Sequence, residues 1–237
     1  MAERSNAAVL KTVLGHTNGG SNPSLSAFGL MVEWLQFHPV TVRGTGSNPV
    51  ETANKIKMIQ EFPNLLQKSL CDDIIKIASE RLETAQTVGE QIEGYRTAEY
   101  CWLGDVHSPA LEWIQDFISK LIGYPIENQE DIHIVKYKVG GEYKIHHDFF
   151  EENDKENIGR GGNRTHSFLI YLNDDFEGGE TEFPQLDLKI KPEIGKGVCW
   201  VNKVNGEYFQ ESEHAGLPVT KGEKWILIIW NREYTFR

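Results

Sequence analysis

The chain has little sulfur, no long apolar run and no excess of positive charge, and each absence closes a class of function. Its three cysteines, Cys71, Cys101 and Cys199, are widely spaced. They form neither a disulfide framework nor a CxxC metal pair, and are expected as reduced core residues of a cytoplasmic protein. The longest apolar run, Trp225-Ile226-Leu227-Ile228-Ile229-Trp230, falls far short of the ~20 residues that span a bilayer, so no membrane partner is expected. The first residues, Met1-Ala2-Glu3-Arg4-Ser5-Asn6, lack the basic-then-apolar pattern of a secretory signal. Lys and Arg total 24 against 35 Asp and Glu, a formal charge of −11. Nucleic-acid binders usually present a basic face, so no nucleic-acid partner is expected. What remains is ordinary globular composition, 39% hydrophobic and 25% charged over 237 residues. That length suits one domain with an appendage.

Composition shifts near position 57. Residues 1–57 carry a balance of +2 and residues 58–237 one of −13. The first part is rich in Gly, Ser, Asn and Thr and shows no sustained period. Within it Gly20-Ser21-Asn22-Pro23 recurs as Gly46-Ser47-Asn48-Pro49, 26 residues later. The TψC arm of a tRNA gene reads as Gly-Ser-Asn-Pro when translated, and the spacing is about one tRNA gene. Two readings stand: a mistranslated segment ahead of a true start at Met58, or a flexible polar tail. An amino terminus upstream of Met58 on the native protein would exclude the first. No function is placed in 1–57 under either.

From Met58 the pattern is regular. Ser69-Leu70-Cys71-Asp72 has the form of a helix cap, and Leu70, Ile74, Ile77, Ala78 and Leu82 fall on one helical face. A second helix is predicted from Ser108-Pro109, with Leu111, Ile114, Phe117, Ile118 and Leu121 as its apolar side and Gly123 as its end. Strands are predicted over 132–139, 167–172, 186–190, 198–202 and 225–231. Helices followed by many short strands suggest an α+β class, a sandwich or barrel buttressed by helices. The expected division is helical support over 58–130 and a β core over 131–237.

The stretch with most chemistry is Tyr137-Lys138-Val139-Gly140-Gly141-Glu142-Tyr143-Lys144-Ile145-His146-His147-Asp148. On a strand, residues two apart share a face, so His146 and Asp148 could converge on one metal. A facial triad of two His and one carboxylate needs a third ligand, and His214 is the best candidate. Ten residues on, Lys224 opens the run Trp225–Trp230. A lysine at the head of so apolar a strand is costly unless its charge is paired or its head reaches water. Glu223 would point to the other face, so a bound dicarboxylate could supply the missing anion.

The order His146-x-Asp148, His214, Lys224 resembles the 2-oxoglutarate and Fe(II)-dependent dioxygenases, in particular their prolyl 4-hydroxylase branch. Tyr137 lies nine residues before His146, and Phe168–Asn173 precedes Glu177-Gly178-Gly179-Glu180-Thr181-Glu182-Phe183-Pro184. His214-Ala215-Gly216-Leu217-Pro218-Val219 leads to Gly222-Glu223-Lys224-Trp225, and Tyr95-Arg96-Thr97 is similar to an upstream family element. The resemblance covers 58–237. It implies a double-stranded β-helix (jelly roll) with Fe(II) held by His146, Asp148 and His214. It also implies 2-oxoglutarate paired with Lys224 and met by the hydroxyls of Tyr137, Tyr171 and Thr181, with Trp230 lining the pocket. O2 is the second cosubstrate, and L-ascorbate often accompanies the family. Arg96 and Arg164 match arginines of a peptide groove, and the polar segment 151–163 matches a loop that closes over the peptide.

The implied reaction is hydroxylation of a peptide or protein proline, coupled to decarboxylation of 2-oxoglutarate to succinate and CO2. Lys224, where many branches carry arginine, favours this substrate. Two alternatives keep their place: the same chemistry on a free amino acid, small metabolite or other side chain, and a silent jelly-roll binding module. Nucleic-acid demethylation is disfavoured by the acidic domain. His147, between the predicted ligands, should face away, and His133 and His166 are expected to be structural.

Overall fold

The protein is described here from a computed structural model, which describes residues 58–84, 98–204 and 206–236. The Gly-Ser-Asn-Pro repeats, the whole of 1–57 and Arg96 lie outside them. Strand β1 (Ile59–Phe62) precedes helix α1 (Lys68–Ser79). Strands β2 (Glu83–Thr84) and β3 (Glu99–Trp102) lead to helix α2 (Pro109–Ile122). Then come β4 (His133–Tyr137), β5 (Tyr143–His146), the short helix α3 (Lys155–Gly159) and the long β6 (Arg164–Tyr171). Next are β7 (Glu177–Gly178), β8 (Thr181–Phe183), β9 (Leu188–Ile190), β10 (Gly197–Val201), β11 (Lys203–Val204) and β12 (Glu207–Tyr208). The chain closes with β13 (His214–Gly216), β14 (Val219–Lys221) and β15 (Lys224–Arg232).

Seven strands form a major sheet in the order β1-β10-β6-β15-β4-β3-β2, and four form a minor sheet in the order β5-β13-β8-β9. Two ribbons, β11-β12 and β14-β7, accompany them. Every pairing between strands is antiparallel. The core lies between the two sheets. Val135, Tyr137, Leu169, Tyr171, Trp200 and Ile226 of the major sheet share one cluster with Phe183, Leu186 and Ile190 of the minor side. This is the double-stranded β-helix.

The helices cover the outer face of the major sheet. Phe117 of α2 meets Phe168 of β6 and Phe62 of β1 edge-on, each at 6.0 Å between ring centroids. The central strands are therefore buried on both faces, which is why Phe168–Tyr171 of β6 and Trp225–Trp230 of β15 read as continuous apolar runs rather than as alternation. The predicted second helix is matched: Pro109 opens it and Gly123, at φ 74°, ends it. Among the described residues, 58–130 supplies strands β1, β2 and β3 to the major sheet as well as the helices.

Two local expectations fail. Helix α1 begins at Lys68 with Gln67 as N-cap and no side-chain cap bond, so Ser69 lies inside the first turn. The carbonyl of Gln67 accepts from Leu70 and Cys71 instead, at 3.0 and 3.2 Å. The strand predicted over 186–190 is interrupted: Pro184–Leu186 forms a 3-10 turn and Asp187 adopts φ 50°, leaving Leu188–Ile190 as strand. The polar segment 151–163 contains the short helix α3. Asp154 caps α3 by accepting from the Asn157 amide at 3.2 Å, and Arg232 ties the segment down through the carbonyls of Asn157 and Gly162.

Candidate metal centre and cosubstrate pocket

Sheet register creates the first half of the site. Strands β13 and β5 pair with His214 directly opposite His146, and the imidazole centroids stand 4.2 Å apart. Asp148 lies in a bend just beyond β5, not on the strand itself. The bend, rather than strand alternation, turns its carboxylate toward the two rings. Its Oδ1 stands 3.7 Å from His146 Nε2, and its Oδ2 3.9 Å from His214 Nε2. These separations are too long for hydrogen bonds. Instead, three donor atoms lie within 4.8 Å of one another, the spacing of groups that can share one cation.

Each member is oriented from behind. His146 Nδ1 contacts the Lys144 carbonyl at 2.8 Å, and His214 Nδ1 contacts the Ser212 carbonyl at 2.9 Å. A carbonyl can only accept, so Nδ1 carries the proton in both rings and Nε2 presents a lone pair to the shared point. Tyr143 stacks on His146 at 3.6 Å, and Trp200 meets His214 at 4.7 Å. The Asp148 carboxylate accepts from Ser167 Oγ at 2.5 Å. Burial alone would raise its pKa, but the two imidazoles, Arg164 and the Ser167 bond outweigh that and hold it at about 2. The carboxylate is therefore ionised at neutral pH.

The other end of the pocket is built on β15. Lys224, Ile226, Ile228 and Trp230 share one strand parity and all line the cavity that holds the triad. Lys224 is 2% exposed, and its Nζ donates to the Gly179 carbonyl at 2.6 Å. It also sits 5.4 and 5.5 Å from the ring centroids of Tyr137 and Tyr171. Gly179 must be glycine, because it holds φ 69° and a Cβ there would meet Lys224 Cδ at 3.0 Å. Glu223 does turn to the other face, where it pairs with Lys136 at 2.9 Å. Burial pulls the Lys224 amine down to about 7, outweighing the opposing charge of Glu180.

The structure brings most of the predicted residues to one cavity. Tyr137, His146, Asp148, Thr181, His214, Lys224 and Trp230 all line it. Tyr171 stands behind Thr181, its hydroxyl sharing a 2.7 Å bond with Thr181 Oγ1, and burial raises that phenol well above its ordinary value. The Arg164 side chain is 14% exposed and engaged within the protein. Its guanidinium forks onto Glu130 at 2.6 and 2.8 Å, donates to the Asp148 carbonyl at 3.3 Å and covers the face of Trp230 at 3.8 Å. A charged group this buried needs a fixed partner, and Glu130 is it. His147 faces away as expected, stacking on Phe149 at 4.5 Å. His133 stacks on Trp102 at 4.2 Å, and burial lowers His166 to about 4.

Several residues around the site went unnoticed in the sequence. Ser167 and Asn202 form a chain to Asp148, and Arg232 joins Arg164 on Glu130, donating at 2.5 Å. One signal was available: Ser167 is the polar residue at an inward position of the strand that also carries Leu169 and Tyr171. The Glu130 partners lie 34 and 102 residues away in the chain, and no local pattern marks them.

Comparison with known proteins agrees with this architecture. Residues 132–232 match the family model of the 2OG-Fe(II) oxygenase superfamily. A protein of the Acanthamoeba polyphaga mimivirus named "Putative prolyl 4-hydroxylase" is 34% identical over 178 residues, covering 73% of each chain. The human prolyl 4-hydroxylase subunit alpha-1 is 30% identical over 185 residues, 74% of this chain but 34% of that subunit, so the chain spans about a third of its length. Among solved structures, the viral collagen prolyl hydroxylase of Paramecium bursaria Chlorella virus-1, in its 2OG complex, superposes with a TM-score of 0.61 at 28% identity. That match covers 74% of this chain and 96% of the viral one. The chain belongs to the 2OG-Fe(II) oxygenase superfamily, in its prolyl 4-hydroxylase-like branch, and is a dioxygenase that uses Fe(II), 2-oxoglutarate and O2.

Proposed function

We propose that the protein hydroxylates proline in a peptide or protein substrate, with His146, Asp148 and His214 as the Fe(II) ligands and Lys224 as the anchor for 2-oxoglutarate. The observation that carries this reading is the shared cavity. Two imidazoles with their lone pairs inward and one ionised carboxylate stand at one end, and a buried amine with a single carbonyl partner at the other. Two nitrogens and one carboxylate oxygen on one side of a ferrous ion leave the opposite positions open, which is the donor set of this chemistry. Bound iron, with the cosubstrate and O2, supplies the conversion of a C–H bond to C–OH while 2-oxoglutarate leaves as succinate and CO2.

The chain's own residues bind, orient and exclude water. Lys224 pairs with the far carboxylate of the cosubstrate, a charge-assisted bond made in a dry pocket. Thr181, its hydroxyl backed by Tyr171, and Tyr137 supply further polar contacts, and Trp230 and Ile228 form the apolar wall. Trp200 and Trp230 both line the cavity, and neither indole N–H has a partner among the described residues. Arg164 we reassign from peptide contact to support of the Asp148 turn, while Arg96 keeps its proposed place in the peptide groove. The catalytic unit is proposed to be 58–237. The buried free thiols suit a reducing compartment, so the reading places the protein in the cytoplasm. Among the described residues no helix is long and apolar enough to cross a membrane.

Named relatives carry the choice of proline over other substrates, including the prolyl hydroxylase of Trichoplax adhaerens solved with a hypoxia inducible factor peptide. The full chain is to be incubated with Fe(II), 2-oxoglutarate and ascorbate, with and without a proline-rich peptide. Peptide-stimulated succinate together with one added oxygen on proline supports the reading. Succinate with an unmodified peptide keeps the dioxygenase and excludes proline in that sequence as its substrate.

A further inference from the structure

Asp148 is held differently from the two histidines. Their rings lean on backbone carbonyls two residues earlier in the chain, whereas the carboxylate is gripped by a side chain of the opposite sheet. Ser167 on β6 donates from Oγ to Asp148 Oδ2 at 2.5 Å, and Asn202 Nδ2 donates to Ser167 Oγ at 2.9 Å. A serine hydroxyl has one proton. With the Asn202 amide occupying its acceptor side, that proton is committed to Asp148. Both Ser167 and Asn202 are wholly buried. Asn202 is itself fixed through its backbone, which donates to the Thr165 carbonyl at 2.8 Å and accepts from Phe209 at 2.9 Å. Burying two polar side chains between packed sheets is costly unless each is satisfied. The Asn202 Oδ1 has no partner among the described residues, so the chain is not simply a well-satisfied structural pair. It ends on one particular oxygen of the carboxylate.

We propose that Ser167, oriented by Asn202, is a positioning residue that commits Oδ2 to a protein hydrogen bond and leaves Oδ1 as the metal-binding oxygen. Asp148 is thereby held to one-oxygen coordination. A carboxylate can also bind through both oxygens, and would then take a further coordination position. Ser167 thus keeps that position open for the cosubstrate and O2. The inference rests on Asp148 being a metal ligand, as proposed above.

The test uses the full chain without oxygen. Fe(II) affinity is measured by competition, and the charge-transfer band of the Fe(II)–2-oxoglutarate complex is recorded, for the wild type, Ser167→Ala, Ser167→Thr, Asn202→Ala and Asp148→Ala. Loss of a partner behind a ligand typically weakens metal binding about 10–100-fold. Ser167→Ala is expected to weaken Fe(II) binding in that range and to shift the band, Ser167→Thr to restore both, and Asn202→Ala to act in the same direction more weakly. Ser167→Ala with wild-type affinity and an unmoved band overturns the proposal while Asp148→Ala still loses iron. If Asp148→Ala also keeps its iron, the ligand assignment itself fails. Should Ser167→Ala not fold, Asn202→Ala decides: an unmoved band and affinity there overturn the proposal.

Discussion

The two ends of the pocket are prepared to different degrees. At the metal end every ligand has its support: Lys144 and Ser212 behind the imidazoles, Ser167 and Arg164 behind Asp148. At the other end Lys224 is as buried as the ligands, yet its amine donates to one backbone carbonyl, that of Gly179. The metal end is organised by the protein before anything binds. The lysine end is left electrostatically incomplete, and under the proposed function a dianion would complete it. Desolvation is the main reason the amine sits at about 7, and that is a destabilising feature of the empty protein rather than a source of stability.

This contrast can be broken at several points, from the largest effect down. His146→Ala or Asp148→Ala should reduce succinate formation to background, since no other described group stands in for the missing ligand. Turnover retained in both would remove the triad. Glu130→Ala should leave Arg164 and Arg232 buried and unpaired, at a cost of ~3–5 kcal/mol in urea unfolding. The carboxylate of Glu130 is held below its usual range despite burial, by Arg164 and Arg232. Its contribution is therefore full above the ordinary carboxylate pKa and lost as pH falls through the lowered one. A stability profile that is flat across the acid range would contradict this.

At the lysine end the contribution is destabilising instead, although stability again rises with pH. Between about 7 and the ordinary 10.5, the unfolded chain binds a proton at Lys224 that the folded chain does not. Stability of the ligand-free protein should therefore rise with pH across that window. Lys224→Met should flatten this component and leave the ligand-free protein at least as stable as the wild type. A clear fall in melting temperature would show that the buried amine stabilises the fold. The smallest effect is expected at His147, which stacks on Phe149 away from the shared point. His147→Gln should change kcat/KM by less than about threefold, within the range of a surface substitution. A loss as large as that of His146→Ala would place His147 in the site.

What the sequence made legible followed from period and order. The apolar run after Lys224 put Lys224 and Trp230 on one face, and the order His146-x-Asp148, His214, Lys224 carried the family resemblance that implied the triad. The reason offered for Asp148 was incomplete, because a bend rather than a strand turns it inward. The supporting residues were not legible. Ser167 reaches Asp148 across 19 positions, and Arg232 reaches Glu130 across 102. Such pairs arise when the two sheets close, and no local repeat encodes them. Arg164 shows the same limit in reverse. Its place in the chain matched a peptide-groove arginine, whereas its packing commits it to Glu130 and to the turn beneath the metal ligands.

The most direct test of the two-ended pocket is an anaerobic titration of the full chain, wild type against Lys224→Met, first with Fe(II) and then with 2-oxoglutarate. Equal Fe(II) affinity is expected, because nothing that orients the triad involves Lys224. The requirement for 2-oxoglutarate should rise by about 10²-fold or more, from the lost charge-assisted bond and the carboxylate left unpaired. Unchanged 2-oxoglutarate affinity in Lys224→Met, or joint loss of iron and cosubstrate, would contradict the account.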